Sequence, residues 1–146
     1  MAIVTARAER TITAPAEEVR AALADYTEVR PKILTENYRD YRVEAGGHGD
    51  GTRVHWLLQA TKKRVRDQLV EVSVPAEGRI VERDTNSSMV TAWTVTPASD
   101  DRSTVTVETS WNGAGGIGGF FERTFAPKGL RRIHDGVLAN LDAALR

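Results

Sequence analysis

Val105-Thr106-Val107-Glu108-Thr109-Ser110-Trp111, followed by Gly113-Ala114-Gly115-Gly116-Ile117-Gly118-Gly119, is the passage on which the fold turns. Its first half alternates in the period of a half-buried strand, with Val105, Val107, Thr109 and Trp111 on one face. Its second half puts Gly113, Gly115 and Gly118 at the spacing of a dinucleotide-binding turn. That fold needs a second parallel strand after the helix, and here only a terminal helical pattern follows. The glycines therefore read as a sharp passage from a sheet into a closely approaching helix, or as a flexible turn that gates a cavity mouth.

Beyond the glycines, Leu130, Ile133, Val137, Leu141 and Leu145 recur in steps of three and four, a helical stripe, with Arg131, Arg132, Asp135 and Asp142 on the other faces. Pro127 predicts a kink, or a short helix split from a longer one. Upstream, turn signals at 46–51, 75–78, 86–88 and 97–101 divide the chain into strand-like segments at 38–45, 52–60, 64–74, 79–84, 89–96 and 104–111. Residues 3–13 add another strand, with Val4, Ala6, Ala8 and Ile12 on one face. Between the first strand and the rest, Pro15, Glu17 and Glu18 open a short helix with Val19, Leu23 and Tyr26 at helical spacing, and Pro31 ends it or a second short turn near 29–34.

Composition limits what such a chain can be. At 146 residues it is read as one domain, 1–146, able to bury roughly 70% of its unfolded surface. Zero formal net charge points to neither nucleic acid nor an anionic membrane. The absence of cysteine excludes disulfides and thiolate chemistry. Residues 1–7 lack the apolar run of a signal peptide, and no stretch approaches the length of a spanning helix. The expectation is a cytoplasmic protein, monomeric or homodimeric, with no nucleic-acid partner and no membrane insertion.

The opening strand running into Ile12-Thr13-Ala14-Pro15-Ala16-Glu17-Glu18-Val19, the Leu23-Ala24-Asp25 that ends the first helix, and the glycine-rich turn before each long element together resemble the Bet v 1-like, START-related superfamily, in particular its bacterial polyketide cyclase/dehydrase branch. The resemblance covers essentially the whole chain. It implies an α+β helix-grip fold, in which a curved seven-stranded antiparallel sheet wraps a long C-terminal helix, with two short helices between strands 1 and 2 and a cavity between sheet and helix. The family often carries a tryptophan near the second short helix, where this chain has Tyr26-Thr27-Glu28-Val29-Arg30-Pro31. No common catalytic set comes with the resemblance.

Candidate site residues follow from the strand faces. Thr52, Val54, Trp56, Leu58 and Ala60 share one face, and Met89, Thr91, Trp93 and Val95 share another. Trp56, Leu58, Trp93, Val107 and Trp111 either pack the core or line a ligand cavity, and Thr91 and Thr109 are placed to partner an indole N–H or a ligand oxygen. Phe120, Phe121 and Phe125 would sit at the cavity entrance. The histidines His48, His55 and His134 show no metal-ligand spacing, so neither metal nor cofactor is expected. His134 stands beside the helical stripe, either at the cavity rim or on the surface.

Asp67, Glu71, Glu82 and Arg83 lie on strands whose facing the pattern leaves open, and residues 65–70 read as slipped by a bulge. A carboxylate turned into the cavity would suit proton transfer. Asp67 is the leading acid/base candidate because Val65 and Leu69 flank it on its own face, and the alternative is charge pairing on the outer face. The basic run 62–66 reads as a solvated hairpin tip. These readings favour binding of a hydrophobic small molecule such as a lipid, polyketide or isoprenoid-like compound. The alternatives are a cyclase, aromatase or dehydratase using Asp67 or His134, and a toxin-like or ribosome-associated interaction module.

Overall fold

A computed structural model describes the backbone of residues 3–61, 64–112 and 116–146, and their side chains apart from 60, 61, 64 and 116–126. The element order is β1 (Ile3–Ile12), α1 (Ala16–Ala24), α2 (Arg30–Ile33), β2 (Tyr38–Ala45), β3 (Arg53–Thr61), β4 (Arg64–Ala76), β5 (Arg79–Asp84), β6 (Val90–Ser99), β7 (Arg102–Asn112) and α3 (Gly116–Leu145). All seven strands form one antiparallel sheet in the order β1-β7-β6-β5-β4-β3-β2. Strands β2 to β7 are thus a meander, and β1 returns to pair with β7 from Ile3↔Asn112 to Ile12↔Ser103. Register shifts interrupt the β2–β3, β3–β4, β4–β5 and β6–β7 ladders, and such bulges bend strands.

The inner face carries the apolar residues the alternation assigns to it. Thr52, Val54, Trp56 and Leu58 of the β3 region, Met89, Trp93 and Val95 around β6, and Val105, Val107, Thr109 and Trp111 of β7 are all buried. Strand β4 differs from its sequence reading. Its ladder with β3 runs unbroken from Arg53↔Glu71 to Gln59↔Val65, so there is no slip over 65–70. Gln68, Val70 and Val72 face inward, and Val65 is exposed. A glutamine on the inner face disguised a regular alternation.

Helix α1 begins after Pro15, with Glu17 and Glu18 in its first turn and Ala16, Val19, Ala22 and Leu23 buried. Asp25 then terminates it: its side chain accepts from the amides of Thr27 and Glu28, and its carbonyl accepts from Arg30 N. That tight turn launches α2 and fixes the direction in which Arg30 enters the core.

Helix α3 packs chiefly along β1, whose inward residues Ala6 and Ala8 are small enough to let it come close. Leu130, Ile133, Val137, Leu138 and Leu141 are buried there, each contributing about 2 kcal/mol through removal from water. Pro127 lies inside one continuous helix rather than between two. Asp142 anchors the C-terminal end: its carboxylate accepts from Arg10, from Thr13 N (2.9 Å) and from Arg146 (2.9 Å). These bonds, led by that from Arg146, hold its pKa well below the ordinary carboxylate range. Close approach is also required at Gly136, where an added Cβ would stand 2.9 Å from Thr35 Cγ2. Among the described residues, no helix is long and apolar enough to cross a membrane.

Candidate functional site

Between the sheet and α3 the apolar core gives way to a polar cluster around a small space. The walls are Arg30, Leu34, Tyr38, Trp56, Leu58, Gln68, Glu82, Met89, Thr91, Trp93, Thr109, Leu130 and His134. About 20 Å³ is open to the centre of a water-sized sphere, room for one or two waters and far too little for an extended lipid chain.

One wall is an ion pair almost removed from solvent. Arg30 and Glu82 side chains are 3% and 5% exposed, with Arg30 Nη2 3.2 Å from Glu82 Oε2. Arg30 Nε donates to Leu23 O (2.7 Å) and Nη2 to Tyr26 Oη (3.0 Å). Among the described residues, none accepts from Nη1. Glu82 also accepts from Tyr26 Oη (2.5 Å) and from Trp93 Nε1 (2.8 Å). The guanidinium carbon lies 4.6 Å from the Tyr26 ring centroid and 4.5 Å from that of Trp93. Burial opposes the Arg30 charge, but Tyr26 and Glu82 outweigh it and hold the group protonated above its ordinary range. Burial, opposed by Arg30, drives the Tyr26 hydroxyl well above its usual value. Desolvating two such charges costs several kcal/mol each, which excellent geometry offsets at best.

A second wall joins β6, β7 and α3. Thr91 Oγ1 and Thr109 Oγ1 are 2.7 Å apart, and Thr109 Oγ1 is 2.8 Å from His134 Nε2. His134 is 2% exposed, and its Nδ1 is buried without a hydrogen-bond partner. Burial lowers its pKa to about 4, so the imidazole is neutral at pH 7. Its ring meets Trp93 edge-on at 6.4 Å. The third wall is Trp56, whose Nε1 donates to Gln68 Oε1 (2.7 Å), while Tyr38 and Tyr41 pack edge-on and stacked against its rings. Gln68 in turn donates to Met89 Sδ and to Asp84.

Of the residues the sequence put forward, Trp56, Leu58, Thr91, Trp93, Thr109 and His134 are brought together around this space. His134 is interior, not a surface histidine, because the α3 stripe is wide enough to carry it inward with Ile133 and Val137. Val107 and Trp111 are buried but stand outside the cavity wall, and Trp111 Nε1 also lacks a partner. Asp67 is not brought in: its side chain is 67% exposed and meets His55 Nε2 at 2.9 Å on the outer face. Gly113 and the side chains of Phe120, Phe121 and Phe125 lie outside the described residues. Sequence reasoning passed over Arg30, Tyr26 and Gln68 and left Glu82 undirected. A usable signal was present in β5, where Ile80, Glu82 and Asp84 alternate with Arg79, Val81 and Arg83, so two acids share the face of an isoleucine. Among the described residues, no cluster of histidine and carboxylate side chains could hold a metal ion.

The chain matches the family model for polyketide cyclase / dehydrase and lipid transport over residues 3–146, and it belongs to that family. The KanY protein, solved by NMR in solution, is 50% identical, with 99% of each chain covered and a TM-score of 0.89. TTHA0849 from Thermus thermophilus shares the fold at 21% identity, covering 97% of this chain and 96% of that one, with a TM-score of 0.80. The fold recurs in the di-domain ARO/CYC BexL at 18% identity, where 95% of this chain matches 45% of that one with a TM-score of 0.71. No curated protein matches the chain.

Proposed function

We propose that this protein binds a small, largely apolar molecule bearing oxygen substituents in the space between the sheet and α3. Trp56, Trp93 and Leu58 supply the apolar walls, and Arg30, Thr91, Thr109 and His134 supply the polar contacts. The observation that carries this reading is the unpaired Nδ1 of His134 beside a cavity. An unmade buried hydrogen bond costs about 1–3 kcal/mol, and of the two such atoms among the described residues, Trp111 Nε1 and His134 Nδ1, only that of His134 belongs to a residue of the cavity wall. The ion pair of Arg30 with Glu82 adds a second reason, because apolar residues of like size would stabilise the same position as well or better. The family description, which joins polyketide cyclisation with lipid transport, supports a ligand of this kind.

The walls present a neutral total charge, so the ligand is uncharged at the point of contact. Entry of anything larger than a water or two requires a wall side chain to move. An enzymatic reading of the cyclase/dehydratase kind is favoured by the same histidine, neutral at pH 7 and able to take a proton at Nδ1 as it gives one up at Nε2. Native mass spectrometry of protein purified from its own host tests the binding reading. A retained adduct of defined mass, lost in R30M and H134L variants that fold, is the expected result. Protein that carries no adduct and takes up no lipophile would overturn it.

A further inference from the structure

The hydroxyls of Thr91 and Thr109 and the His134 ring form a chain with a specific proton count. Each hydroxyl brings one proton and the neutral imidazole one, and two contacts of 2.7 and 2.8 Å connect the three groups. If Nε2 carries the ring proton, it donates to Thr109, Thr109 donates to Thr91, and the chain ends in a Thr91 O–H donor and a bare Nδ1 acceptor. If Nδ1 carries the proton, every bond reverses, Thr91 ends as an acceptor and Nδ1–H as a donor. One end always donates when the other accepts. Both end residues line the same cavity, and Nδ1 has no partner in the fold.

Resting on the reading of this cavity as a small-molecule site, we propose that the Thr91–Thr109–His134 chain is a proton relay that makes the protein a keto–enol tautomerase for compact enolisable ketones. In the forward step the Nδ1 lone pair takes the proton from the ligand's α-carbon. The C–H electron pair becomes the C=C bond, and the carbonyl π pair moves to oxygen, which takes the Thr91 proton. Thr91 oxygen takes the Thr109 proton, and Thr109 oxygen takes the proton leaving Nε2. The ligand has moved one proton from carbon to oxygen, and the protein has changed tautomer without changing charge. A reverse turnover, or exchange with a water passing through the cavity, resets the chain. Arg30 Nη1 does not enter the proton count.

The probes are pentane-2,4-dione and 1-phenylbutane-1,3-dione, two sizes of one chemistry. Binding is read from the indole N–H signals of Trp56 and Trp93, and turnover from the keto–enol relaxation rate in ultraviolet absorbance. The intact protein is expected to accelerate relaxation about a hundredfold or more over buffer. With the probe raised until each variant's indole shift saturates, H134Q, whose amide holds donor and acceptor on fixed atoms, and T109V, which removes the middle hydroxyl, should lose most of that acceleration. T109S, which restores the hydroxyl, should recover much of the rate lost in T109V. Binding by the intact protein without acceleration, or acceleration unchanged in H134Q and T109V, overturns the relay and leaves the binding reading standing. Failure of both diketones to shift either indole signal counts against the binding reading itself.

Discussion

Two histidines sit on opposite sides of the same sheet, and both are nearly out of reach of water. His134 is 2% exposed and His55 7%. On the outer face, His55 has both ring nitrogens engaged, Nδ1 with Asp40 O at 3.0 Å and Nε2 with Asp67 Oδ1 at 2.9 Å. On the inner face, His134 has one nitrogen bound to Thr109 and the other bound to nothing. Burial alone does not separate a structural histidine from one kept for a ligand. The separation lies in whether the fold has used up the ring's hydrogen-bonding capacity, and the cavity beside His134 is where it has not.

The largest effect is expected where the cavity wall is charged. E82Q removes the carboxylate that faces Arg30, and leaving that charge buried without its counter-ion should cost about 3–5 kcal/mol in urea denaturation. The double variant R30M/E82Q removes the stranded cation and keeps an amide to meet Tyr26 Oη and Trp93 Nε1, so it should recover most of the loss while abolishing ligand uptake. Should E82Q alone prove neutral, the wall is not held by this ion pair.

Next comes pH. His134 titrates near its ordinary 6.5 in the unfolded chain and at about 4 in the folded one. Between those values the unfolded chain binds a proton that the native state refuses. Stability should therefore be full above pH 6.5 and fall as pH drops, by about 3 kcal/mol at pH 4. Asp142, whose folded value is depressed below 3.8, adds a further loss only below about pH 4. H134L should remove the first slope and keep the second, as read from denaturation midpoints across that range.

The smallest effects separate the two histidines directly. H55L strips its contacts from Asp40 and Asp67, both of which reach water, and should cost about 1 kcal/mol without altering ligand uptake. H134L leaves Thr109 still paired to Thr91 and buries no unmet atom of its own, so stability at pH 7 should stay within about 1 kcal/mol while uptake disappears.

The architecture was legible because it rests on local periodicity. The alternation in residues 52–58, 89–95 and 105–111 gave the inner faces correctly, as did the stripe from Leu130 to Leu141 in α3. The aromatic and hydroxyl part of the site came with those faces. The charged part did not, because Arg30 enters from a helix of one turn whose orientation is fixed by the Asp25 turn, and its partner Glu82 comes from the middle of the sheet. Pairing of that sort is non-local and leaves no period to read. Asp67 misled for a local reason: flanking valine and leucine suggested an inner face, but the inner positions of β4 belong to Gln68, Val70 and Val72.

The claim that His134 is kept for a ligand is tested most directly by nitrogen-15 NMR of the histidine rings at pH 7. Titrated with 1-phenylbutane-1,3-dione, the His134 Nδ1 resonance should move as its empty hydrogen-bonding position fills, while both His55 nitrogens stay where they are. A His134 ring that remains unchanged while the diketone binds, or a response at His55 instead, would contradict the account.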